Sequence, residues 1–166
     1  MIRTATTSEP LAGTGAVATS PGWHPDVTVA SVVAREGRLL LVEERIDGRL
    51  VLNQPAGHLE ADESLAEAAV RETREETGWD IRLDCFIGTY QWTAPGGQHY
   101  VRFAFGGTAL AHDPDRPLDT GIERALWLPP AELHAQCARH RSPLVWRVAA
   151  DWLTGRRQPL SLVQSL

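Results

Sequence analysis

The sequence predicts an α/β domain with a mixed β-sheet and helices on its faces. Three observations lead there. A length of 166 residues with 43% apolar content suits one compact domain with a short tail. Runs of period-2 hydrophobicity recur on both sides of one sharply framed helical segment. The segments after the last run carry proline-led helix starts. The resulting order is ββ(β)αβββαα, with no internal repeat and no dividing linker.

Residues 1–22 mix Thr, Ala, Gly, Ser and Pro, and only Arg3 and Glu9 are charged. They are expected to be a mobile arm preceding a domain over 23–166. From Asp26, residues Val27, Val29, Ser31 and Val33 share one face of a strand, and a second β-rich run, 38–44, follows the turn at Glu36-Gly37. The two runs predict a hairpin. Asp47-Gly48 marks another turn before a short strand at 49–52.

Ser64 and Glu67 have capping-box spacing, and Gly78 stands where a helix-ending glycine belongs, which frames a helix over 65–77. Strands at 81–92 and 99–110 flank the turn Ala94-Pro95-Gly96-Gly97, and a third strand covers 124–128. Pro129-Pro130 opens a helix near Glu132, and Ser142-Pro143 opens another that runs to about Leu153.

Composition removes several function classes. Sixteen basic residues against twenty-one acidic ones leave a net charge of −5, so no positive field exists to hold duplex nucleic acid. Every basic residue is arginine, which excludes a Schiff-base lysine and a phosphate-loop lysine. Cys85 and Cys137 stand alone, without the spacing of a disulfide framework or a structural zinc site, and a reducing cytoplasm fits them. No apolar run approaches the roughly 20 residues of a membrane span, and no signal-peptide core follows Arg3. A cytoplasmic protein without a membrane partner is expected, and nothing in the sequence specifies an oligomeric state.

The chemistry concentrates in the 65–77 helix. Glu72, Glu75 and Glu76 are spaced i+3 and i+4, so they fall within an arc of roughly 100° on one face. Ala66, Val70, Thr73 and Thr77 form a separate stripe expected to bury against the sheet. Charged helix faces are ordinarily just solvated. Here, however, like charges at these spacings cost about 0.2–0.5 kcal/mol per pair, and Glu75 and Glu76 oppose the helix dipole in the last turn. A counter-charge is called for, and hard oxygen ligands on a rigid helix suit Mg²⁺.

Gly57, Glu63, Arg71, Glu72, Glu75, Glu76 and Gly78 all agree with the pattern G-x5-E-x7-R-E-U-x-E-E-x-G-U, where U is bulky and aliphatic. At a usage of roughly 7% per residue type, seven such agreements arise by chance on the order of 10⁻⁸ per starting point. The pattern is the Nudix box, and the chain resembles the Nudix hydrolases. Thr73 and Trp79 depart from it at the two aliphatic positions. The likeness extends through Val27–Ala30, Asn53–Ala56, Gln91-Trp92, Ala94-Pro95, Arg102-Phe103 and Arg141–Leu144, which together resemble the bacterial Nudix J phosphatase subgroup over about 24–163.

The resemblance implies a Nudix-type α/β/α sandwich and hydrolysis of phosphoanhydrides in small metabolites with Mg²⁺ or Mn²⁺. By resemblance, Glu72, Glu75 and Glu76 hold the metal with help from the backbone carbonyl of Ala56, and one of these glutamates orients or deprotonates the attacking water. Arg71 and Glu63 then fix the glutamates. Arg71 is equally placed to be a plain i,i+4 partner of Glu67 or Glu75. The implied reaction releases phosphate from nucleoside tri- and diphosphates and from the thiamine-pathway pyrimidine diphosphate or thiamine diphosphate. One alternative is an enzyme for RNA 5′-triphosphates or dinucleoside polyphosphates. Another is a catalytically silent nucleotide-binding regulator, although such modules commonly lose box glutamates.

Candidates outside the box are fewer. Arg102, between Val101 and Phe103, is open either to a terminal phosphate contact or to an exposed cross-strand pairing. Trp92 and Tyr90 are candidates to stack on a substrate ring, or belong to the core. His58 and His99 are weaker substrate contacts. Glu123 is the best outlying acid for an additional metal contact, with a solvated loop residue as the plain alternative.

Overall fold

The computed structural model describes residues 23–165, and the expected arm at 1–22 lies outside the described residues. The strands are β1 (Asp26–Arg35), β2 (Arg38–Ile46), β3 (Arg49–Asn53), β4 (Ala56–His58), β5 (Trp79–Thr93), β6 (His99–His112) and β7 (Ile122–Leu128). The helices are α1 (Leu65–Thr77), α2 (Pro130–Ala135) and α3 (Leu144–Leu153), with short 3₁₀ turns at Cys137–Arg139 and Leu160–Leu162. The expected elements are all present. The added strand, β4, has three residues and follows Pro55 directly, too short to show a period.

The sheet runs β3-β2-β1-β6-β5, with β4 pairing β1 and β7 pairing β2. β1 and β6 are parallel, and the other strand pairs are antiparallel. Glu36-Gly37 and Asp47-Gly48 have positive φ at both residues, +51° and +73°, then +47° and +76°. That is the type I′ geometry that matches strand twist in a two-residue hairpin.

Each sheet face is covered. On one, Val32, Leu39, Leu41, Ile87 and Ala104 pack with Leu133 of α2 and Val145, Val148 and Ala149 of α3. On the other, Val29, Phe86 and Phe105 pack with Ala68 and Ala69 of α1. The fold is therefore the expected α/β/α sandwich with a mixed sheet. Among the described residues no helix is long and apolar enough to cross a membrane. Cys85 is buried and Cys137 exposed, both as free thiols.

Helix α1 begins with the full capping box. Ser64 accepts from the Glu67 amide, and the Glu67 carboxylate accepts from the Ser64 amide. It ends at Gly78, left-handed at φ +69°, whose amide donates to the Arg74 carbonyl. Its buried residues are Ala68, Ala69, Glu72, Thr73, Glu76 and Thr77. The expected packing stripe holds except at its start: Thr73 and Thr77 are buried and Val70 packs half-buried against the cluster of Val33, Leu40 and Ile81, whereas Ala66 only lines an apolar groove shared with Ile81, Leu83 and Leu160. Thr73 fills an aliphatic slot because its hydroxyl donates to the Ala69 carbonyl at 2.8 Å, leaving only its methyl to pack. Trp79 fills the other by stacking on His112 and meeting Trp127 edge-on.

Candidate active site

The rotation of α1 toward the sheet carries two of the glutamates inward. Glu72 and Glu76 are buried and Glu75 is half-buried. Carboxylate oxygens of Glu72, Glu75 and Asp119 lie within 4.8 Å of one another. Asp119 belongs to the loop between β6 and β7 and is absent from the sequence expectations. That loop is clipped to the carbonyl end of α1: the Asp113 amide donates to the Gly78 carbonyl at 2.9 Å, and the Asp119 amide donates to the Glu75 carbonyl at 3.2 Å. Free carbonyls at a helix end need such donors, and meeting them delivers the fourth acid.

Arg71 binds this group together from one side. Its guanidinium donates to Glu63 at 2.9 and 2.7 Å, to Glu72 at 2.9 Å, to Glu75 at 3.0 Å and to the His58 carbonyl at 3.0 Å. The Arg71 hydrogen bonds hold the Glu63 carboxyl below its usual range. Glu72 moves the other way, because burial outweighs the help from Arg71.

Glu76 sits deeper. One of its oxygens accepts from the Ala56 amide at 2.8 Å, so the contact seen at Ala56 is through its N–H. Burial pushes Glu76 up to about 9, against the Ala56 hydrogen bond and with the nearby carboxylates of Glu44, Glu72 and Asp119 adding to the rise. The Glu72 carboxylate fills the space over Gly57. A Cβ at that position would fall 2.1 Å from Glu72 Oε1.

These residues suit a divalent cation by their own chemistry. The donors are hard carboxylate oxygens on a helix and a clipped loop, and burial disfavours the charged forms of Glu72, in spite of Arg71, and of Glu76, a cost that a bound cation offsets. Glu123 is not among them, which corrects its expected place: it is exposed and paired to Arg45 at 2.6 Å.

A cavity of about 250 Å³ opens beside Ala56 and Gly57 and is lined by Thr28, Glu44, Asn53, Arg102, Arg141 and Trp92, among others. Arg102 is only 8% exposed, which rules out an exposed cross-strand role. Its Nε reaches Thr28 Oγ1 at 3.4 Å and its Nη1 has no partner. Burial draws its pKa down to about 10, so it keeps its charge at neutral pH. Trp92 stacks on Tyr100 at 5.5 Å and forms one wall. His58 is exposed at the rim, 3.6 Å from Asp26. Tyr90 is absent from the lining and is corrected to a packing role. It lies against the α3 core, and its hydroxyl donates to Asp151 at 2.9 Å. His99 faces outward, bonded to Thr93 at 3.1 Å. A larger groove of about 600 Å³ reaches Arg71 and Glu75 from the other flank, with Ala66, Val70, Ile81, Leu83 and Leu160 as its apolar lining.

The NUDIX domain family matches residues 22–146. The chain is 44% identical to Phosphatase NudJ of Escherichia coli K12 over 141 residues, which are 85% of this chain and 92% of that protein. A structure described as a NUDIX hydrolase from Nitrosomonas europaea superposes with a TM-score of 0.84 at 46% identity, covering 86% of this chain and 98% of the other. The MutT protein of Methanosarcina mazei shares the fold, with a TM-score of 0.62 at 20% identity over 80% of this chain and 97% of its own. A domain match across most of the chain and two relatives above 40% identity lead to one conclusion: this chain belongs to the Nudix hydrolase family.

Proposed function

We propose that the protein hydrolyses phosphoanhydrides of small phosphorylated metabolites with Mg²⁺ or Mn²⁺, releasing phosphate from nucleoside tri- and diphosphates and from thiamine-pathway diphosphates. The observation that carries this reading is the meeting of Glu72, Glu75 and Asp119 oxygens within 4.8 Å, on the helix that rests against Gly57 at the mouth of the polar cavity. The name of the relative, a phosphatase at 44% identity, supports the release of phosphate.

In this reading Glu72, Glu75 and Asp119 hold the cation, with Glu76 behind them. The bound ion supplies Lewis acidity toward phosphate oxygens and lowers the pKa of a coordinated water. Arg71 orients Glu72 and Glu75, and Glu63 fixes Arg71. The phosphate chain lies at the acids and the remainder of the substrate enters the cavity, where Trp92 offers an aromatic face. The test is phosphate release from nucleoside tri- and diphosphates, thiamine diphosphate and its pyrimidine diphosphate, with and without Mg²⁺. Metal-dependent release is expected, and no turnover of any anhydride would overturn the reading. The same reactions in ¹⁸O-labelled water, with products separated, identify the phosphorus attacked.

Two further results are expected. Trp92→Ala should raise KM by several-fold for ring-bearing substrates and reorder them, with kcat largely kept, because a stacking contact contributes equally to ground and transition states. Unchanged KM across the substrates would return Trp92 to packing.

Stability should respond to metal and to pH. A cation at a hundredfold excess over Kd contributes about 2.7 kcal/mol, or roughly 5–10 °C in melting temperature for a domain of this size. In the metal-free protein Glu76 titrates above its unfolded value, so its contribution is complete below the unfolded pKa and fades as pH rises toward about 9. Metal-free melting temperature should fall across that window, and Glu76→Gln should flatten the fall, raise the melting temperature slightly at pH 8 and shrink the metal-induced rise. Thermal melts of both proteins, with and without Mg²⁺, check this. A wild-type curve unmoved by metal would remove the cation from these carboxylates.

A further inference from the structure

The cavity beside Gly57 holds buried polar atoms that no protein group satisfies. Glu44 Oε1, Asn53 Oδ1 and Arg102 Nη1 are all buried without a hydrogen-bond partner, and all three residues line this cavity. Asn53 is 4% exposed and Arg102 8%. Such groups cost stability when left unpaired. Three of them around one space make a site that is complete only when occupied.

The sheet is arranged to present them. Glu44 follows a register irregularity in β2, between Glu43 and Glu44 where it pairs with β7, and such bulges re-aim side chains. Glu43 is tied to Arg124 and Arg139, whereas Glu44 uses only Oε2, on Arg141 at 3.5 Å, leaving Oε1 to the cavity. Asn53 ends β3, and the next residue is anchored by Gln54 Nε2 donating to the Val145 carbonyl at 2.6 Å. Arg102 comes from β6, where it is opposite Thr28 of β1.

The cavity thus offers two acceptors, one on a carboxylate, and one charged donor. An exocyclic amino group has two hydrogens for the two acceptors, and the acceptor atom beside it on the ring can take the arginine. A keto-only edge instead turns a lone pair toward Glu44; the Asn53 amide can turn to donate to it, but the carboxylate cannot, and its oxygen is left unpaired. We propose that Glu44, Asn53 and Arg102 read the ring edge of the substrate and select rings that carry an amino group next to an acceptor, as in cytosine or adenine, over keto analogues such as uracil or hypoxanthine. This rests on the assignment of the cavity to substrate made above. Arg102 acts on the ring rather than on a terminal phosphate.

The experiment compares CTP with UTP and ATP with ITP as substrates in Mg²⁺, and measures the equilibrium binding of CMP and UMP. Amino rings should be favoured by at least about tenfold in kcat/KM, through KM, because a site built around hydrogen bonds rejects the analogue that cannot make them. CMP should bind more tightly than UMP by a similar factor. Glu44→Gln, which can turn its amide to donate to a keto oxygen, should narrow the preference to about threefold or less, in a variant whose melting temperature is checked. Turnover without discrimination, together with equal binding of CMP and UMP, would overturn the inference and return these atoms to bound water. Discrimination in binding without turnover would uphold the ring reading while the proposed hydrolysis fails. Should the variant not fold, the wild-type pairs decide alone.

Discussion

Glu75→Gln and Glu76→Gln should each lower turnover by at least about a hundredfold, the scale of a positioned catalytic group. Glutamine keeps the shape of the side chain and removes its charge. Glu75 then loses its place among the oxygens of Glu72 and Asp119 and weakens its hold on Arg71 at 3.0 Å. At Glu76 the amide oxygen can still accept from Ala56, so the loss there reports the missing charge. Steady-state phosphate release with saturating Mg²⁺ reads the effect, and far-UV spectra and melting curves show that the fold persists. Near-wild-type rates in both variants would remove the acids from the reaction. A loss confined to Glu75→Gln would restrict it to the Glu72, Glu75 and Asp119 group.

Gly57→Ala should be as damaging although it changes no charge. The added methyl would stand 2.1 Å from Oε1, 2.2 Å from Cδ and 2.3 Å from Oε2 of Glu72, so the whole carboxylate must move. Gly57 lies outside the left-handed region, so the backbone itself accepts alanine and the lesion acts through Glu72. Misplacement by about 1 Å costs on the order of a hundredfold in rate. Turnover should fall by that much while the metal-free melting temperature changes little and the metal-induced rise shrinks. Full activity in the alanine variant would mean that Glu72 does its work from another position.

Legibility in the sequence followed the range of the interactions. Helix α1 spans 65–77 as expected because Ser64, Glu67 and Gly78 act locally. The turns at Glu36-Gly37 and Asp47-Gly48 are equally plain, since each needs only its own φ angles; their I′ type is what the structure adds. The buried face of α1 was not, because which side of a helix meets a sheet is settled by neighbours distant in sequence. Ala66 is apolar enough to pack, yet the helix buries Ala68, Ala69, Glu72 and Glu76 beside Thr73 and Thr77.

Strand alternation leaves Arg102 and Tyr90 open between alternatives for two reasons. β6 pairs in parallel with β1 inside a sandwich covered on both faces, so neither side of the strand is a solvent side. The β5–β6 ladder also shifts register three times, between Trp79 and Ile81, Leu83 and Cys85, and Phe86 and Gly88. Each shift resets the phase, so the direction of Tyr90 cannot be counted from the start of the strand. Asp119 left no local signal at all. It is forty-three residues beyond Glu76 in numbering, and only the clips to Gly78 and Glu75 bring it to the helix.

Those clips also determine where the chain is free to vary. With Asp113 pinned to the Gly78 carbonyl and Asp119 to the Glu75 carbonyl, the position of the acid is set from both ends of the segment. Residues 114–118 span the interval between two fixed posts, and extra residues inserted there would bulge outward without shifting Asp119. Closing a longer loop costs only about 0.6 kcal/mol per doubling of its length. The segment is therefore a natural port for lengthening the chain next to the acids: a peptide grafted there would sit at the rim of the phosphate end, able to screen large substrates while the carboxylates keep their places.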